Sequence, residues 1–148
     1  MIKFMPGQCF GLYRSAFYIG TCLFAEGEAC FSKYHNDELS STSLWLLYSE
    51  SGHMKIGLVS KALPFQKQYL YECTMDGQKV LRIHNLDTPN SVLCDFTLPE
   101  YAHSCIQDVY RSEILYDSNK DISWTLTFHV NGPNKEYSII TQYSIISK

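Results

Sequence analysis

The 148-residue chain has no cluster of basic residues: its twelve lysines and arginines are scattered singly and its formal net charge is −3. Such a surface offers a phosphate backbone nothing to follow, so nucleic acid is not an expected partner. No apolar run approaches the roughly eighteen residues of a membrane-spanning helix, so no membrane span is expected. The five histidines, at 35, 53, 84, 103 and 129, form no i,i+2 or i,i+4 pair. No Cys/His set has zinc-ligand spacing either, and a haem held by one histidine is the only metal reading left; no cofactor is expected. A Gly-rich phosphate loop, a G-x-S-x-G elbow and an H-E-x-x-H helix are all missing, which leaves hydrolase and nucleotide readings without support. Persuasive 3.6-residue periodicity with caps is missing too.

Cysteine is present but unpatterned. Cys9, Cys22, Cys30, Cys73, Cys94 and Cys105 include no C-x-x-C pair, and most lie in apolar runs. They read as reduced, buried small hydrophobes, although the even count leaves a disulfide-bonded secreted protein open. The apolar stretch 16–25 follows Arg14 late and lacks an A-x-A cleavage site, which disfavours a signal peptide. The expectation is a soluble, cytoplasmic protein. At this length a single domain over 1–148 buries about 70 % of its unfolded surface, with 1–15 as an extension or short helix.

What the chain does have is alternation. From Ser123 to Val130, Trp124, Leu126, Phe128 and Val130 share one side and polar residues the other, the period of a half-buried strand. After Asn131-Gly132-Pro133-Asn134-Lys135 a second run alternates through Tyr137, Ile139, Thr141, Tyr143 and Ile145, predicting a long antiparallel hairpin. Further extended runs are predicted at 16–24, 28–34, 44–50, 54–60, 68–75, 78–84, 92–98 and 104–116. Turns are expected at Glu26-Gly27, 34–42, Ser51-Gly52-His53 and 85–90, and a two-residue type I′ turn at Asp76-Gly77. A short helix is placed only in the first fifteen residues or at 99–103. Eleven tyrosines reinforce the β bias. The fold class is all-β, an antiparallel up-and-down barrel of eight to ten strands, because closing a meander removes its edges.

The segment His103-Ser104-Cys105-Ile106-Gln107-Asp108-Val109-Tyr110 resembles the H-x-C-x-x-D-x-Y signature of the uncharacterised bacterial domain-of-unknown-function family 6314. Trp124, the turn Gly132-Pro133-Asn134-Lys135-Glu136-Tyr137 and Tyr143 resemble the same family's later elements, and Tyr48-Ser49-Glu50-Ser51-Gly52 its Y-x-E-x-G element. Gly20 to Phe24 is similar to its G-x-x-x-F strand, and Tyr69-Leu70-Tyr71 to its central aromatic strand; the fit before Phe17 is loose. The resemblance implies no activity. Its strand count and terminal aromatic strand are similar to the lipocalin and fatty-acid-binding (calycin) barrels, which implies a cavity for one small, mostly apolar molecule.

On a regular strand, His103, Cys105 and Gln107 would share one face and Asp108 and Tyr110 the other. Residues two apart on a face approach only to about 6–7 Å between Cα atoms, so a Cys/His nucleophile does not follow from the motif. His103 and Cys105 read either as polar anchors or a reactive pair at the barrel mouth, or as a satisfied imidazole and a packed thiol at a strand start. Asp108 and Tyr110 could reach Arg82 or Lys135, and an inward Asp108 would need such a partner. Tyr69, Tyr71, Trp124, Phe128, Tyr137 and Tyr143 suit either a cavity lining or plain core. Arg82, between Leu81 and Ile83, either clamps a carboxylate inside or faces water. The candidate ligand-binding set is therefore Arg82, His103, Cys105, Asp108, Tyr110, Trp124, Lys135, Tyr137 and Tyr143. The leading reading is a barrel that binds a small hydrophobic or amphipathic molecule. The alternatives are a small enzyme with His103, Asp108 and Tyr110 as acid/base set, or a filled-barrel interaction module. The residues carry no signal of oligomeric state.

Overall fold

A computed structural model of the chain describes residues 2–18, 20–57, 61–98, 102–105, 108–116, 123–133 and 135–146; at 18, 102–105, 108, 110 and 135 it describes the backbone alone. These residues form ten strands and no helix. In chain order they are β1 (Cys9–Tyr18), β2 (Thr21–Lys33), β3 (Leu44–Ile56), β4 (Leu63–Cys73) and β5 (Val80–Asn85). There follow β6 (Val92–Asp95), β7 (Ala102–Cys105), β8 (Asp108–Tyr116), β9 (Trp124–Gly132) and β10 (Lys135–Ile145).

All ten belong to one antiparallel sheet of order β6-β5-β4-β3-β2-β1-β10-β9-β8-β7. Each strand pairs with its sequence neighbours except at β6 and β7, and β1 also pairs with β10, so the first strand meets the last. The two ends of the sheet return to one another: β6 comes within 8 Å of β7 and β8. The fold is a nearly closed up-and-down barrel, as the alternation predicted. Closure leaves only β6 and β7 as edges, each four residues long, and short edges are poor templates for strand addition.

Several boundaries differ from expectation. The run 16–24 is a hairpin, with β1 ending at Tyr18 and β2 starting at Thr21. Glu26-Gly27 and Ser51-Gly52-His53 are not turns but lie inside β2 and β3, where Gly27 stands opposite Gly52. A Cβ on Gly27 would meet the Ser51 carbonyl oxygen, and one on Gly52 the Glu26 carbonyl oxygen, so glycine is there for close backbone approach. The run 104–116 is likewise two strands, β7 and β8. At Asp76-Gly77 the hairpin is present, but its loop runs from Thr74 to Lys79, closed by Thr74 N–H to Lys79 O at 2.9 Å. Gly77 has φ of 71°, and a Cβ there would also meet the Phe4 carbonyl oxygen.

Residues 2–15 hold no helix. Residues 2–8 are an irregular segment that plugs one end of the barrel, and β1 begins at Cys9. Phe4 is fully buried, its ring packed edge-on against Phe31 at 5.6 Å and Trp124 at 5.2 Å. Its N–H donates to Gly77 O at 2.7 Å, and Gly7 N–H to Phe31 O at 2.8 Å, which anchors the segment to the β4–β5 turn and to β2. Above the plug, Phe10, Phe31, Leu46, Tyr71, Trp124 and Tyr143 fill the interior. Burying side chains of this size stabilises by about 1.5–3 kcal/mol each.

The reading of six reduced cysteines is corrected at two positions. Cys9 and Cys30 face each other across β1 and β2 with Cα atoms 4.2 Å apart and form a disulfide. Cys22, Cys73 and Cys94 are free thiols. Disulfides persist in oxidising compartments, so the cysteines of this chain do not point to a cytoplasmic location.

Candidate functional site: the open end of the barrel

Whether a barrel is filled or hollow depends on its inward side chains. At the plugged end these are large. Toward the other end β1 contributes Ala16, β2 Thr21 and Ala25, and the Gly27–Gly52 pair contributes no side chain at all. The result is a cavity of about 540 Å³. Its walls are apolar: Leu23 from β2, Met54 and Ile56 from β3, Phe65 from β4, Leu93 from β6 and Phe128 from β9. Tyr69, Tyr71, Tyr137 and Tyr143 add aromatic surface.

The floor is polar and fully partnered. Arg14 of β1 and Glu50 of β3 lie on strands separated by β2, and they meet over the small residues opposite them in register, Ala25 and Ala29. The guanidinium donates from Nη1 to Glu50 Oε2 at 2.7 Å and from Nη2 to Oε1 at 2.8 Å, a bidentate pair, while Nε donates to Thr141 Oγ1 at 2.8 Å. The Tyr48 hydroxyl donates to Glu50 Oε1 at 2.7 Å and lies 2.7 Å from the Tyr143 hydroxyl. Because Tyr48 spends its one proton on the carboxylate, the Tyr143 O–H is the donor in that second bond. Beneath the floor the Tyr143 ring stacks on Trp124 with centroids 3.7 Å apart.

Burial alone would raise the Glu50 carboxyl, but the hydrogen bonds and charge of Arg14, with help from Tyr48 and Lys67, hold it below the usual carboxylate range. Burial would lower Arg14, yet Glu50 and the neighbouring phenols hold it above its ordinary value. Burial pushes the Tyr48, Tyr69, Tyr71 and Tyr143 phenols up. The floor at neutral pH is thus a closed ion pair flanked by neutral phenols.

Of the residues expected at a site, Tyr137 and Tyr143 line the cavity, whereas Trp124 lies fully buried below it. Arg82 is not among the lining residues. It pairs with Glu72 at 3.2 Å and Asp95 at 3.0 Å, and His84 adds Nε2 to the same Glu72 at 3.0 Å, while its neighbour Ile83 lines the cavity. His103 stands opposite Tyr110 and Cys105 opposite Asp108 in the β7–β8 register, so these four share one hairpin; their side chains, and that of Lys135, lie outside those described. Among the described residues no group of three or more His, Cys, Asp or Glu side chains is placed to hold a metal ion. Among the described residues there is no helix long and apolar enough to cross a membrane.

Arg14, Tyr48, Glu50, Lys67 and Thr141 were not among the expected site residues. The signal for two of them was period two: Leu46, Tyr48 and Glu50 share the inward phase of β3, and a carboxylate in a core phase needs a buried partner.

The architecture is an up-and-down antiparallel barrel with an apolar interior cavity over a polar floor. The chain belongs to the family described as a family of unknown function (DUF6314), whose model matches residues 19–145. No curated protein and no solved structure matches it. The segment Tyr48 to Gly52 has a physical reading in this chain: Tyr48, Glu50 and Gly52 are three inward positions of β3 that supply the floor's phenol, its carboxylate and half of the close strand approach.

Proposed function

We propose that the barrel binds one small hydrophobic or amphipathic molecule in its interior cavity, in the manner of a calycin. The observation that carries this reading is the cavity itself: about 540 Å³ of space with apolar walls and few polar groups, within the range of about 300–1,000 Å³ usual for small-molecule sites. Affinity comes from burying the guest's apolar surface, and orientation from the tyrosine hydroxyls and the Arg14–Glu50 pair. The floor favours holding over proton transfer, because Glu50, Tyr48, Tyr71 and Tyr143 are all driven away from neutrality and general acid–base catalysts work best near the operating pH.

Native mass spectrometry of freshly purified protein, with Nile red titration as a neutral apolar probe, tests this. The expected result is saturable uptake at one site, lost when Ala25→Phe fills the cavity in a variant whose melting is still cooperative. Undiminished uptake by that variant, or none by the wild type, overturns the reading.

A further inference from the structure

Three charged side chains stand among the described lining residues: Arg14, Glu50 and Lys67. Two of them cancel, since the Arg14 guanidinium and the Glu50 carboxylate are joined bidentately. Lys67 is the third. It faces Glu50 across the β3–β4 register, so its side chain starts from the inward face of β4, in phase with Phe65, Tyr69 and Tyr71. Its charge helps to hold the Glu50 carboxyl down, yet Glu50 is already engaged by Arg14 and Tyr48, and no carboxylate among the described residues forms an ion pair with Lys67. Lys67 is exposed and shares the register level of Glu50, with Phe65 on its open-end side and Tyr69 on its plug side. One residue pair along the same face, the Tyr69 hydroxyl makes no hydrogen bond with the described residues and lies half-buried.

An apolar pocket with one uncompensated positive charge beside its floor is complementary to a particular kind of guest. We propose that the ligand is a monoanionic amphipath, whose apolar body lies between Leu23, Met54, Phe65 and Phe128 and whose carboxylate or sulfonate is met by Lys67 with the Tyr69 hydroxyl donating beside it. A dianionic head such as a phosphate monoester would leave a second charge without a partner, and a cationic head would face Lys67 directly. Arg14 is not the anchor, because withdrawing it from Glu50 would strand a buried carboxylate. This inference rests on the interior-binding reading and assigns Lys67 as the residue that sets its charge specificity.

The test is competition against Nile red by dodecanoate, dodecanol and dodecylamine, which share a chain and differ in head charge. For the wild type at low ionic strength, dodecanoate should bind about tenfold more tightly than dodecanol, the size expected of one partly screened ion pair. Dodecylamine should be the weakest of the three. Lys67→Met should abolish the acid-over-alcohol preference in a protein that still melts cooperatively, and Lys67→Glu should turn the preference toward the amine. Equal binding of acid and alcohol by the wild type, or a preference that survives Lys67→Met, overturns the assignment and leaves interior binding standing. Failure of all three amphiphiles to displace the probe overturns both.

Discussion

The phenolic oxygens of Tyr48 and Tyr143 lie 2.7 Å apart on the cavity floor, and the order of donation between them is fixed by Glu50. That order makes two similar substitutions unequal. Tyr48→Phe takes a donor from Glu50 and leaves the buried Tyr143 O–H without an acceptor, which should cost about 2–3 kcal/mol; Tyr143→Phe leaves the Tyr48–Glu50 bond in place and should cost about 1 kcal/mol. Urea denaturation of the two variants checks the ranking, and a larger cost for Tyr143→Phe would contradict the assigned proton order.

The carboxylates give the protein a defined acid response. Burial alone would raise Glu50, Glu72 and Asp95, but their hydrogen bonds to Arg14, to Ser43, His84 and Arg82, and to Thr97 respectively win, and all three are held low. A folded-state pKa below the unfolded value contributes stability that is present above about pH 4.3 and is lost as pH falls through the folded value. Stability should therefore be flat near neutrality and decline below about pH 4.5. Glu50→Gln should lower stability at pH 7 by about 3 kcal/mol, because Arg14 loses its counter-charge, and should flatten the acid slope. Chemical denaturation at a series of pH values reads both effects.

Most of the barrel was legible because its signals are local. The alternation of β9 and β10 and the reversal at Asp76-Gly77 follow from side-chain period and turn chemistry within a few residues. Three features were not. Glycine punctuates turns and also permits close strand approach, so Gly27 and Gly52 read as breaks until the register placed them opposite one another. No Gly, Pro or Asn separates Cys105 from Asp108, so nothing in composition marks the step from β7 to β8. The Arg14–Glu50 pair spans two non-adjacent strands over alanines, a contact visible only once the order and register of the sheet are known. The cavity was hidden for the same reason: its volume comes from small residues on different strands, and each alone is unremarked.

The glycine pair makes a sharp stability prediction. Neither Gly27 nor Gly52 has room for a methyl group, since in each case the added carbon would meet backbone rather than a movable side chain. Gly27→Ala or Gly52→Ala should force β2 and β3 apart beside the cavity and destabilise by more than about 3 kcal/mol, well beyond ordinary overpacking. Gly11, with nothing nearer than 3.8 Å, is the control, and Gly11→Ala should change stability little. Thermal melting of the three variants separates a steric requirement for glycine from a general sensitivity of the inner strands.

The plug and the cavity lie at opposite ends of the barrel, so they should be separable by mutation. Phe4 packs against Phe10, Phe31, Tyr116 and Trp124 but is not among the cavity-lining residues. Phe4→Ala should open a void under the Trp124–Tyr143 stack and cost about 3–5 kcal/mol, whereas Phe4→Leu keeps most of the volume and should cost about 1–2 kcal/mol. Folded Phe4→Leu protein should take up Nile red with wild-type affinity, because the rings above Phe4 hold the floor in place. Weakened uptake in that variant at full folding would mean that the floor depends on the plug, and the two ends would then have to be treated as one coupled unit.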